Sequence, residues 1–262
     1  MNTDELKNLK QLIETIAILR SPEGCPWDRE QTHKSLRENL LQETYEALDA
    51  IDKENDDNLK EELGDVLLQV VLHSQIASEV NKFTIEDVAK AITEKLIRRH
   101  PHVFSDVKVK DADEVIVNWE KIKRQEKPER KSALSGIAET MPALLVAQEL
   151  SKKAVKTGFE WSNETSLWEC FESEIKEFKD EVAENNKEFM EDELGDILFS
   201  IVNVARWHKI DPEIALIKAN KKFKARFQVM ETLAPKDLSE YNIDELEDFW
   251  KQAKENLKNI KN

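Results

Sequence analysis

Glu43-Thr-Tyr-Glu46 followed by Glu62-Leu-Gly-Asp65, and again Glu174-Ile-Lys-Glu177 followed by Glu193-Leu-Gly-Asp196, decide the fold of this 262-residue chain. In both places the first acids of the two pairs stand 19 residues apart, from 43 to 62 and from 174 to 193. Such internal recurrence settles an architecture before any single motif does. Residues three apart on a helix share a face, so each pair aims two carboxylates the same way. Two such helices facing one another bring four acids together in each copy.

The repetition continues outward from the acids. Gly24-Cys-Pro-Trp27 is echoed by Gly158-Phe-Glu-Trp161, and Lys95 with Arg99 by Lys222 with Arg226. Trp119 and Trp250 follow, each with a lysine four residues on, Lys123 and Lys254. Between the copies lies Lys127-Pro-Glu-Arg-Lys-Ser-Ala-Leu-Ser-Gly136, a polar stretch punctuated by Pro128 and Gly136. The expected organisation is a first domain over 1–127, a linker over 128–141 and a second domain over 142–262. Each domain should hold about five helices, in the first copy over 4–20, 33–53, 57–80, 84–99 and 111–126. Pro26, Pro101, Asn55-Asp56-Asp57 and Asn81-Lys82 mark their ends.

Composition agrees with an all-α chain. Charged residues make up 35% and aromatics 7%, with only five glycines and seven prolines, which favours long charged-face helices over turn-rich β structure. A hydrophobic content of 40% suffices for a buried core. The net charge of −15 repels a phosphate backbone and an anionic membrane, so neither nucleic acid nor membrane is an expected partner; a small anion could still bind through a metal. Cys25 and Cys170 show no CxxC spacing and suit a reducing compartment. Met1 to Lys10 lacks the basic start and apolar stretch of a secretory signal, and no apolar run reaches membrane-span length. The expectation is a soluble, cytoplasmic protein.

Four clustered carboxylates repel one another unless protonated or bridged by a cation, and a hard divalent ion resolves the conflict. Magnesium suits such a site because it keeps waters and takes its remaining ligands from substrate phosphates. A lone Glu-x-x-Glu in so charged a chain is ordinarily a solvated helix face. Here Val66-Leu-Leu-Gln-Val-Val-Leu72 follows Asp65 and Ile197-Leu-Phe-Ser-Ile-Val202 follows Asp196, runs apolar nearly all round and therefore expected to be buried. Acids entering a buried helix need a partner or an ion.

Gly64 and Gly195 sit inside these helices, each at a cost of about 1 kcal/mol relative to alanine. Tight helix packing is the expected reason, with ligand approach the other reading. A di-iron bundle would use Glu-x-x-His pairs, whereas the fourth position here is Asp65 or Asp196. His73 and His208 are read as core or interhelical hydrogen-bonding residues. Lys95 with Arg99, and Lys222 with Arg226, put two cations on one helical face, suited to phosphate oxygens or, more plainly, to surface ion pairs. Trp119 and Trp250 could stack on a nucleobase or simply fill a core.

Taken together, Gly24-Cys-Pro-Trp-Asp28, Glu43-Thr-Tyr-Glu46, Arg98-Arg-His-Pro-His-Val-Phe104, Gly158-Phe-Glu-Trp161 and the Lys222 to Phe227 stretch resemble the two-domain bacterial members of the MazG nucleotide pyrophosphohydrolases. The likeness covers nearly the whole chain. It implies tandem helical bundles in a homodimer that, with Mg2+, hydrolyses nucleoside triphosphates, ribo or deoxy and of broad base range, to the monophosphate and pyrophosphate. It implies that Glu174, Glu177, Glu193 and Asp196 hold the metal as the catalytic set, that Lys222 and Arg226 contact phosphates, and that Trp250 packs against the nucleoside. The second copy would be the principal engine. Glu43, Glu46, Glu62, Asp65, Lys95, Arg99 and Trp119 are the corresponding residues of the first copy.

Gln42 and Ser173 stand where the family's Glu-Glu-x-x-Glu pattern places a first acid, which bears on whether a second metal binds. Either Glu174 or Glu177 could orient the attacking water. Two other functions fit the same residues. One is a narrow housecleaning enzyme for non-standard deoxynucleotides; the other is a non-catalytic module that binds nucleotides without turnover.

Overall fold

The computed structural model describes residues 6–126 and 132–259, and every regular element among them is helical. The chain divides into two compact units, Met1–Lys127 and Pro128–Asn262. The expected boundary stretch Lys127–Lys131 and the expected helix start at residues 4–5 lie outside the described residues.

The first unit contains α1 (Lys7–Leu19), α2 (Pro26–Glu30), α3 (Arg37–Asp52), α4 (Asp56–Glu79), α5 (Ile85–Arg99), α6 (Pro101–Phe104) and α7 (Ala112–Glu126). Five of these match the five expected helices to within a few residues at each end. The two extra ones are short, and Pro26 and Pro101 begin them. A proline that cannot continue one helix is pre-set for the first position of the next, so residues read only as terminators also act as starts.

Local chemistry sets the other ends. The Asn55 side chain caps α4 by accepting from the Asn58 amide at 3.1 Å. Thr84 and Asp87 form a capping box at the start of α5. The three residues between α3 and α4 force an antiparallel hairpin. α1 and α5 pack against α4, and α7 against α5. Ile16, Leu36, Val71 and Leu72 form the core, flanked by Leu12, Ile13, Leu19, Leu68, Ile76 and Ile85.

The second unit contains α8 (Ala143–Val155), α9 (Glu164–Glu184), α10 (Lys187–Trp207), α11 (Pro212–Leu233) and α12 (Ile243–Asn259), with a 3-10 turn over Leu238–Glu240. Asn163 caps α9, and Asn185 closes it in the left-handed conformation at φ 55°. Asp211 caps α11 with Pro212 in its first turn. α9 and α10 form the hairpin equivalent to α3 and α4; α8 packs against α10 and α11, and α12 against α11. Leu167, Val202, Val204, Met230 and Ala253 are its buried apolar residues.

The apolar runs after the Glu-Leu-Gly-Asp segments are not buried all round, contrary to expectation. Val71 and Leu72 are enclosed, but Leu67 is 40% exposed; Val202 is enclosed, but Leu198 is 49% exposed. Within each unit the flanking helices cover one side of the acid-bearing hairpin, and Leu63, Leu67 and Val70, or Leu194, Leu198 and Ile201, are left at the surface. Among the described residues no helix is long and apolar enough to cross a membrane.

Candidate metal centre

In the second unit the hairpin of α9 and α10 brings Glu174, Glu177 and Glu193 together, with one ligand oxygen of each within 4.8 Å of the others. Asp196, one turn beyond Glu193 on α10, lies outside that triplet and is exposed. Its charge still reaches the site. The pKa of Glu174 is raised by burial first, then by Glu177 and Asp196, against a weak Cys170 thiol donor 3.9 Å away. Glu193 is raised by burial first, then by Glu177, Asp196, Glu174 and Glu181.

In the first unit the triplet differs in membership. Glu43, Glu62 and Asp65 converge within 4.8 Å, and Glu46 stands outside, accepting a hydrogen bond from the Gln42 amide at 2.9 Å. Glu43 is raised by burial first, then by Asp65, Glu46 and Glu62. Glu62 is raised by burial first, then by Glu46, Asp65 and Glu61, while the Asn58 amide donates to it at 3.2 Å and acts the other way. The structure thus gathers three of the four expected acids in each copy and leaves the fourth adjacent.

One acid was not singled out in the sequence. Glu181 follows Glu177 by four residues on α9 and adds its charge to Glu193; Oε2 of Glu181 and Oε2 of Glu193 are both enclosed without a hydrogen-bond partner among the described residues. Four residues after Glu46 the first copy has Ala50, so the repeat itself hides Glu181; its helical spacing from Glu177 was the available signal. Oxygen-only donors held close together, with an enclosed Glu193 oxygen that has no hydrogen-bond partner among the described residues, fit a hard divalent cation.

The glycines beside the acids do not serve close packing inside the chain. A Cβ built on Gly64 or Gly195 meets nothing within 4 Å, which overturns the expectation of tight helix packing. The hairpin's uncovered side explains this, since no described element of the same unit packs there. Gly24 and Gly158 differ. A Cβ on Gly24 would lie 2.3 Å from the carbonyl oxygens of Ile18 and Leu19, and Gly158 adopts φ 92°. Equivalent glycines therefore meet two different backbone needs.

Among the described residues no histidine joins either acid cluster. Nδ1 of His73 lies 2.8 Å from Nδ1 of His33, the rings stack, and burial, then the charge of His33, lowers the pKa of His73. Nε2 of His208 lies 3.3 Å from a Glu164 oxygen.

Of the candidate phosphate-binding cations, Lys95 and Lys222 are exposed. The Arg226 guanidinium lies over Trp250 at 5.7 Å from the ring centre, and Phe223 touches the same indole at 5.2 Å. Arg99 is placed over Trp119 in the same way at 5.6 Å, but it is also ion-paired with Glu126. The Arg99 pair is buried, so it is not the surface ion pair considered from the sequence.

Each unit also ties its glycine loop to its long acid-bearing helix through a two-pronged Arg–Glu pair. Arg20, just after α1, donates from Nε and Nη2 to Glu79 of α4, both at 2.7 Å. In the second unit the polarity is reversed: Arg206 of α10 donates from Nη1 and Nη2 to Glu160 of the loop, both at 2.7 Å.

The family description "MazG nucleotide pyrophosphohydrolase domain" matches this chain twice, over residues 31–104 and 162–229. Those spans contain both acid hairpins and both Lys–Arg pairs. A Thermotoga maritima protein named nucleoside triphosphate pyrophosphohydrolase/pyrophosphatase MazG is 49% identical over 94% of this chain and 95% of its own length. An Escherichia coli K12 nucleoside triphosphate pyrophosphohydrolase is 39% identical over 95% of this chain and 98% of its own. The Bacillus subtilis protein YabN, described as uncharacterized, is 49% identical over 92% of this chain but only 50% of its own length.

Proposed function

The chain belongs to the MazG nucleotide pyrophosphohydrolase family, and on that premise we propose that it hydrolyses nucleoside triphosphates of broad base range, ribo or deoxy, at the second unit's acid cluster, with Mg2+. The observation that carries this reading is the convergence of Glu174, Glu177 and Glu193 from two helices to within 4.8 Å. Those three acids and Asp196 hold the cation, which supplies charge neutralisation for the triphosphate when bound. Lys222 and Arg226 take phosphate oxygens, the Arg226 fork being shaped for two of them at once. Trp250 gives the nucleoside an apolar face. Water attacks the α-phosphorus, the bond from that phosphorus to the bridging oxygen breaks, and pyrophosphate leaves with the electron pair. The protein's part in this is mostly positioning and electrostatics.

The protein also pairs into a homodimer through the uncovered hairpin faces, where Leu63, Leu67 and Val70, and Leu194, Leu198 and Ile201, lie exposed in the single chain. Its compartment is the reducing cytoplasm, where Cys25 and Cys170 remain thiols.

The test is incubation with ATP and Mg2+, resolving AMP and pyrophosphate from ADP and phosphate, for the unaltered protein, Glu193→Ala and Glu62→Ala. AMP with pyrophosphate, lost in Glu193→Ala and kept in Glu62→Ala, is the expected result. ADP with phosphate overturns the bond assignment, and intact turnover in Glu193→Ala overturns the site. A panel of ATP, GTP, CTP, UTP and dUTP reads the base range.

A further inference from the structure

The two units hold their candidate phosphate-binding arginines in opposite states. Arg99 is 8% exposed and already committed. Its Nε donates to Oε2 of Glu126 at 3.1 Å, and its Nη2 donates to the same oxygen. Arg98 donates from Nε to Oε1 of Glu126 at 2.6 Å. The Trp119 indole is occupied as well, by Arg99 against its ring and by His100 edge-on at 4.8 Å. The bonds a carboxylate makes to a guanidinium fork are those that phosphate oxygens would make. Arg99 first, then Arg98, holds the Glu126 carboxyl at about 2, so it stays anionic at neutral pH.

In the second unit the Trp250 indole is covered too, by Arg226 and Phe223, but the carboxylate is lacking. Glu126 comes seven residues after Trp119, and seven residues after Trp250 stands Leu257, which can accept nothing. Arg226 is half-buried against Trp250, and no hydrogen bond or ion pair to it exists among the described residues. Two copies of one arginine–tryptophan arrangement therefore differ in whether an internal anion fills the guanidinium.

We propose that Glu126 is a built-in stand-in for a phosphate group that keeps nucleoside triphosphates off the first unit, and that the open guanidinium of Arg226 directs them to the second. The proposal rests on the reading of Lys222 and Arg226 as phosphate contacts. Glu126 is thus the residue that sets the division of labour, acting through Arg99 and without touching the acid cluster.

The experiment titrates the full chain, with Mg2+ present, with an ATP analogue whose α–β bridging oxygen is a methylene, and reads stoichiometry and affinity by calorimetry. The unaltered protein should bind one nucleotide per chain. Glu126→Leu, which installs the second unit's residue, should bind a second, at least tenfold more tightly than any residual first-unit binding in the unaltered protein. Adding Arg99→Ala to that variant should return the stoichiometry to one. Glu126→Gln, which keeps the shape and removes the charge, should move in the same direction; it carries the test if circular dichroism shows Glu126→Leu to be misfolded.

Two nucleotides per unaltered chain, or one per chain in Glu126→Leu and Glu126→Gln alike, overturns the proposal. Arg226→Ala separates the premise: loss of the single site supports it, and undiminished binding overturns both the premise and the inference.

Discussion

Breaking the Arg206–Glu160 pair should cost the second unit more than a surface ion pair would, because three of the guanidinium's nitrogens are engaged. Nη1 and Nη2 reach Glu160 at 2.7 Å each, and Nε donates to Oγ of Ser151 at 2.6 Å. That hydroxyl in turn donates to Oδ1 of buried Asn203 at 2.5 Å, and the guanidinium also lies 6.0 Å from the centre of the Trp161 ring.

The side chains of Arg206 and Glu160 are 11% and 26% exposed, between the surface and interior cases. Exposed pairs contribute about 0–1 kcal/mol and cutting one partner of a buried pair costs about 3–5 kcal/mol, so Glu160→Ala should cost about 2 kcal/mol. Arg206→Ala also strips Ser151 of its donor and uncovers Trp161, and should cost about 3 kcal/mol. The double variant should lose little more than Arg206→Ala alone, with a coupling of about 1.5–2 kcal/mol. Urea unfolding followed by tryptophan fluorescence measures all four corners of the cycle, and thermal melts should fall by about 3–6 °C per kcal/mol. A coupling below about 0.5 kcal/mol would refute the reasoning, since the two residues would then be acting separately.

Metal-free stability should fall as pH rises above the ordinary glutamate value of 4.5, because Glu43, Glu62, Glu174 and Glu193 have raised folded-state values and the native state holds protons that the unfolded chain has released. His73, lowered, works in the opposite sense near neutrality, and Glu126, held at about 2, contributes stability above 4.5 that is lost as pH falls from there. Glu193→Gln shares both of these groups, so its shallower slope in melts from pH 5 to 8 isolates the acids; equal slopes would count against the cluster. Saturating Mg2+ should flatten the slope of the unaltered protein. Gly195→Ala, with open space at its Cβ, should raise stability by about 0.5–1 kcal/mol. Gly24→Ala, with carbonyl oxygens 2.3 Å from the new Cβ, should lower it by about 1–3 kcal/mol, so equal melts for these two glycine variants would contradict the backbone account. Leu198→Glu should convert dimer to monomer in sedimentation velocity; an unchanged mass would place the subunit contact elsewhere.

The amino-acid order by itself determined the helical class and the duplication, and it named the three acids that converge in each unit, because these are properties of spacing. Capping residues such as Asn55 and Thr84 mark helix ends locally, and two Glu-x-x-acid pairs 19 residues apart need only a short antiparallel hairpin to face each other. What spacing cannot carry is which side of a helix its neighbours cover. The runs after Asp65 and Asp196 look fully buried as strings of letters, yet α1 and α8 lie on one side of their hairpins and leave Leu67 and Leu198 outside. The empty surroundings of Gly64 and Gly195 follow from the same one-sided packing.

Tertiary structure also decided where the two copies stop being equivalent. Arg20 with Glu79 and Arg206 with Glu160 tie the same loop to the same helix with the charges exchanged, a correspondence that reading one copy against the other misses because neither residue aligns with its counterpart. Arg99 and Arg226 do align, and what separates them is that α7 returns Glu126 onto Arg99. A side chain's partner is fixed by how helices distant in sequence pack, and the repeat records only each residue's place on its own helix.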